Sequence, residues 1–135
     1  MASKIGRKKI NLAVQALNLR KEFPNSDVHI ERSNLIWVAQ MIPSPLSLKY
    51  TVRLTYRLGK DPQINVLKPE LDILEGEKLP HTYPGNRLCL YYPGSGEWRG
   101  DILLSQVIVP WISEWLLHYE IWLAVSYTHL TLPTN

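Results

Sequence analysis

Leu48-Lys49-Tyr50-Thr51-Val52-Arg53-Leu54-Thr55-Tyr56-Arg57-Leu58 alternates apolar and polar residues along most of its length. Successive side chains of a β-strand point to opposite faces. Leu48, Tyr50, Val52, Leu54 and Tyr56 therefore share one side, and Lys49, Thr51, Arg53, Thr55 and Arg57 the other. A strand with one face on a core and one in water is the mark of an antiparallel sheet. The neighbouring segments fit the same sheet. Residues 35–42 are apolar and β-branched around Trp37 and stop at Pro43-Ser44-Pro45, and residues 28–31 alternate weakly. Downstream, Gly59-Lys60-Asp61-Pro62 turns the chain into a short strand at 64–67.

Helices are expected on both sides of these strands. Ile10, Val14 and Leu17 form the clearest apolar face of a first helix, with Ser3 as its N-cap and Phe23-Pro24-Asn25 as its stop. Lys4, Arg7, Lys8 and Lys9 give that helix a basic start, with no acid before Glu22. Near the other end, Trp111, Trp115, Tyr119 and Trp122 recur at spacings of four, four and three, widened by Ile112, Leu116 and Leu123. That stripe predicts an amphipathic helix packed by its aromatic face, with Pro110 in the first turn. Residues 102–109 read as a separate short helix or an extended lead-in, and residues 72–80 as polar and without an element.

Composition bounds the rest. A chain of 135 residues, 45% hydrophobic with five tryptophans, makes one domain with a real core. No apolar run approaches the roughly 18 residues of a membrane span, and no secretory segment follows Met1. A soluble, cytoplasmic protein is the expectation. A net charge of +3 does not call for nucleic acid, which needs a concentrated basic stripe. Four histidines and one cysteine show no metal-ligand spacing, so neither metal nor cofactor is expected. Pro93-Gly94-Ser95-Gly96 lacks the Gly-Lys-Ser/Thr ending of a phosphate loop and reads as a flexible connection.

The single cysteine, Cys89, lies in Leu79-Pro80-His81-Thr82-Tyr83-Pro84-Gly85-Asn86-Arg87-Leu88-Cys89-Leu90. One thiol cannot form an internal disulfide, so packing or chemistry is left. Two prolines, a glycine and an asparagine favour an irregular loop, and Arg87 and His81 supply positive potential that favours thiolate. Asn86 reads as a residue that shapes a turn.

The order of elements and this loop resemble a ubiquitin-conjugating-enzyme (UBC) fold. Tyr83-Pro84 and Cys89-Leu90 match that family's flap and nucleophile, Pro80 the proline of its His-Pro-Asn triplet, and Trp98 a tryptophan that follows the cysteine. Leu79 and His81 stand where the triplet has histidine and asparagine. Cys89-Leu90-Tyr91, Trp98, Trp111, Glu114-Trp115 and Tyr119-Glu120-Ile121-Trp122-Leu123 further resemble the bacterial stand-alone conjugating-enzyme-like proteins of type II CBASS antiphage operons.

The resemblance implies an α+β protein: an N-terminal helix, a four-stranded antiparallel meander, an active-site loop and a C-terminal helix. It implies a Cys89 thioester that carries the C-terminus of the operon's nucleotidyltransferase to an acceptor, with Pro80, Tyr83, Pro84, Asn86 and Trp98 supporting the site. His81 then stands in for the asparagine as an oxyanion donor, or assists deprotonation, or merely caps the loop. An activating enzyme is a possible partner of the basic first helix, whose other reading is a solvated face. Two further classes stay open: a catalytically idle UBC-like binding module, and a small basic RNA- or protein-binding domain.

The last eleven residues read differently. Val125-Ser126-Tyr127-Thr128-His129-Leu130-Thr131-Leu132-Pro133-Thr134 is what gtc-tct-tat-aca-cat-ctg-acg-ctg-ccg-acg encodes, a string resembling a transposon-library sequencing adapter. The expectation is a UBC-like domain over residues 1–124, followed by read-through over 125–135. The alternative is a genuine β-rich tail.

Overall fold

The computed structural model describes residues 8–72, 81–92 and 94–131, with side chains described as far as residue 126. Ser3, Lys4, Arg7, Leu79, Pro80 and Pro93 lie outside the described residues.

The first helix, α1, is Leu12–Glu22. The Asn11 side chain caps it by accepting from the Val14 N–H at 2.8 Å, so Lys8 and Lys9 precede the helix instead of forming a basic helical face. The expected apolar face is also corrected. Val14 and Leu17 are 48% and 66% exposed, while Gln15, Ala16 and Leu19 are buried. Gln15 is tolerated there because both ends of its amide are used. Its Nε2 donates to the Ile102 carbonyl at 2.8 Å, and its Oε1 accepts from the Leu104 N–H at 2.9 Å. These two bonds fasten residues 102–104, which belong to neither helix nor strand, to α1.

Four strands follow in an antiparallel meander: β1 (Asp27–Glu31), β2 (Asn34–Met41), β3 (Tyr50–Arg57) and β4 (Gln63–Lys68), in that spatial order. Along β3 the alternation becomes geometry. Tyr50, Val52, Leu54 and Tyr56 are buried, and Arg53 and Arg57 are exposed. Trp37 on β2 pairs with Leu54 and is wholly buried, and its Nε1 donates to Ser26 Oγ.

A short hairpin of β5 (Thr82–Tyr83) and β6 (Arg87–Leu88) lies beside β4, and the long helix α2 (Ile108–Thr131) closes the chain. Pro110 sits in the first turn of α2, as its sequence position implied. Ile108, Ile112, Trp115, Leu116 and Tyr119 enter the core, which the inner sheet face and α1 complete. This is the α+β, UBC-like arrangement. No helix among the described residues is long and apolar enough to cross a membrane. Residues 125–131 continue the helix and do not form a strand, and Val125 is 63% exposed.

The C-terminal half of α2 is tied to the loops by polar bonds. Glu120 accepts from Ser47 Oγ at 2.6 Å, from Tyr50 Oη at 2.7 Å and from the Leu48 N–H at 3.3 Å. Tyr119 Oη accepts from the Asp72 N–H at 2.7 Å. Burial and the Glu120 carboxylate together push the Tyr50 phenol above its usual range, so it stays a donor to that carboxylate.

Candidate active site

Tyr83 and Arg87 pair across the hairpin, and Pro84-Gly85-Asn86 makes the connection. Gly85 and Asn86 both take positive φ, +84° and +58°, which suits a glycine and an asparagine at a tight reversal. Asn86 is thus a turn residue. Asn65 Nδ2 donates to the Gly85 carbonyl at 3.4 Å and holds the tip to β4, while buried Leu88 anchors the returning strand. Cys89 is the next residue.

The thiol is held from several sides. The Cys89 N–H donates to the His81 carbonyl at 2.9 Å, and Trp115 Nε1 of α2 donates to the same oxygen at 3.0 Å. His81 contributes through its backbone. Its φ is +53°, a conformation in which histidine and asparagine are both enriched, and its side chain is exposed. Cys89 itself is half-buried. Its Sγ lies 3.3 Å from Tyr83 Oη and 3.6 Å from the Tyr91 carbonyl.

The hydrogen bond to Cys89, then desolvation, push the Tyr83 phenol up to about 12. Arg87, stacked over the Tyr83 ring at 5.7 Å, pulls the other way and does not prevail. Tyr83 therefore keeps its proton through neutral pH and can donate it in a hydrogen bond to a thiolate.

Cys89 opens into a cavity of about 410 Å³. His81 and Leu90 line it from the hairpin side, Glu97 from the following loop, and Trp111, Glu114, Trp115 and His118 from α2. Glu114 and His118 stand one turn apart, 3.8 Å between carboxylate and imidazole, with side chains largely exposed. These two residues were not read as candidates. Their signal was present, because each lies three residues after a tryptophan of the aromatic stripe.

Trp98 is placed elsewhere. It is 8% exposed, stands edge-on to Tyr56 with centroids 5.7 Å apart, and does not line the Cys89 cavity. Pro84 is exposed at the hairpin tip, and its carbonyl accepts from Arg87 Nε at 3.4 Å.

A second cavity, about 590 Å³, borders the same hairpin and includes Tyr83 and Arg87 in its wall. Arg57 and Lys60 join them from β3 and the β3–β4 turn, as does Asp61, which accepts from Tyr91 Oη at 2.7 Å. The two spaces differ in charge. The thiol's cavity carries Glu97 and Glu114; its neighbour carries Arg57, Lys60 and Arg87. Among the described residues no group of three or more His, Cys, Asp or Glu is placed to hold a metal ion.

Compared with known proteins, residues 15–127 match the model of one family, described as the type II CBASS E2 protein. No curated protein matches the chain. The match spans the sheet, the hairpin with its thiol and most of α2, and on that ground the chain belongs to the type II CBASS E2 protein family.

Proposed function

We propose that this protein is a cysteine-dependent acyl-transfer enzyme of a bacterial, cytoplasmic antiphage system. In this reading Cys89 takes the activated C-terminus of the partner nucleotidyltransferase as a thioester and passes it to an amine. The observation that carries the reading is the placement of the thiol. It is half-buried at the end of a braced hairpin, opens into a cavity and lies within hydrogen-bond reach of the Tyr83 hydroxyl.

The Cys89 thiolate attacks the activated carbonyl carbon; a C–S bond forms as the bond to the leaving group breaks. Tyr83 stabilises the thiolate beforehand by hydrogen bonding. An amine nitrogen then attacks the thioester carbon, a C–N bond forms, the C–S bond breaks and the thiolate returns. The amine's proton passes to a base in the same cavity, a role this reading gives to the Glu114–His118 pair that lines it. His81 supports the loop by its carbonyl, and its imidazole is available to the same space as a donor to the oxyanion.

The test is adduct trapping with the partner nucleotidyltransferase and whatever activity charges it. Wild-type protein is expected to form a hydroxylamine-sensitive adduct, Cys89→Ser a hydroxylamine-resistant oxyester, and Cys89→Ala none while remaining folded. Full partner modification by Cys89→Ala sinks the enzyme reading and leaves a binding module.

A further inference from the structure

We propose that the basic cleft beside the hairpin holds an acidic, extended peptide, the stretch leading to the C-terminus that is loaded on Cys89. This rests on the thioester reading above and specifies how the donor chain is recognised. The cleft has about 590 Å³, within the range of pre-formed ligand sites. Arg57, Lys60 and Arg87 give it three cations from three separate segments, β3, the β3–β4 turn and β6. The carboxylate in its wall, Asp61, is engaged by the Tyr91 hydroxyl at 2.7 Å. Arg57 and Lys60 are exposed and take part in no ion pair among the described residues.

Two features select a peptide over a single phosphate. Phosphate sites converge backbone N–H groups of a helix N-terminus or a glycine nest on one point. Here the donors are long side chains of β3, the β3–β4 turn and β6, which suit carboxylates along a chain. Half-buried Leu90 and Tyr91 add apolar surface to the wall, so alternate side chains of an extended peptide find cover between the charged contacts. Proximity adds the link to the thiol. Tyr83 lines this cleft, and its hydroxyl lies 3.3 Å from Cys89 Sγ, so one side chain borders both the cleft and the thiol.

The experiment uses full-length Cys89→Ala protein, which binds without reacting, and a fluorescent peptide of the last twenty residues of the neighbouring nucleotidyltransferase. Binding is expected to weaken as salt rises. The double variant Arg57→Glu/Lys60→Glu is expected to weaken it about tenfold or more. Lys21→Glu, an exposed reversal on α1, should match the parent. Equal binding by the double variant and Lys21→Glu overturns the proposal. So does a tail without acidic residues, or Arg57-dependent binding of AMP or pyrophosphate in place of the peptide. Failure of the thioester reading looks different: the peptide still binds in an Arg57-dependent manner, while wild-type protein forms no adduct on Cys89.

Discussion

The two halves of α2 carry similar residues and do different work. In the first half, Trp111, Glu114, Trp115 and His118 line the space in front of Cys89, and Trp115 holds the His81 carbonyl. At the midpoint Tyr119 holds the segment at residue 72, and at the start of the second half Glu120 ties Ser47, Leu48 and Tyr50 to the helix. The string Tyr119-Glu120-Ile121-Trp122, on which the sequence resemblance leaned, spans the midpoint of the helix and runs into the second half. A string noticed in sequence can therefore report how a scaffold is braced, while the residues around the thiol lie elsewhere on the same helix.

Substitutions in each half can separate these roles. Trp115→Ala removes a ring that is 8% exposed and frees the His81 carbonyl from α2, and is expected to cost about 3–5 kcal/mol in denaturant unfolding. Loading of Cys89 should fall with it even under conditions where the variant stays folded. Glu120→Ala leaves the Tyr50 hydroxyl without its acceptor and is expected to cost about 2 kcal/mol. Its folded fraction should load Cys89 at the parental rate. A loading defect in Glu120→Ala as deep as that of Trp115→Ala erases the division between the halves.

Tyr83→Phe tests the thiol's own surroundings. Losing one hydrogen bond to a thiolate is expected to slow single-turnover loading about tenfold. The phenol also sets a pH limit. Its pKa is raised in the folded protein, so its contribution to stability is fully present below its unfolded value of 10.0 and is lost as pH rises toward about 12. Unfolding curves of wild type and Tyr83→Phe should therefore converge over that alkaline range. The smallest effect is expected at the far end of α2. Ending the chain after Ala124 should change stability by about 0.5 kcal/mol or less, since Val125 is largely exposed. A larger loss argues against reading residues 125–135 as adapter-encoded.

The sheet was legible because β3 has one wet face and one dry face, and the alternation of Tyr50 to Arg57 records both. The aromatic stripe of α2 was legible for the same reason at helical spacing. The face of α1 was not, because a scan for apolar residues counts Val14 and Leu17 and passes over Gln15. That glutamine is buried at no polar loss, since residues 102 and 104 satisfy it from 87 and 89 positions away. Cys89 and the turn at Asn86 were read from local composition, and Tyr83 from its match to the flap of the family resembled. His81 was read for its imidazole, whereas its fixed contribution is a carbonyl, which every residue type carries. Trp98 was expected to support the site because the family resembled has a tryptophan after its cysteine, whereas here it packs edge-on to Tyr56.

The His81 carbonyl has a consequence for substitution at position 81. Cys89 and Trp115 both address the main chain at position 81, and the remaining local demand is a residue that tolerates φ of +53°. Asparagine, glycine and histidine all meet that backbone demand, so the conformation at position 81 does not by itself dictate which side chain the cavity receives. Exchanging histidine for asparagine there would change the polar group facing the Cys89 cavity while leaving the carbonyl that holds the loop in place.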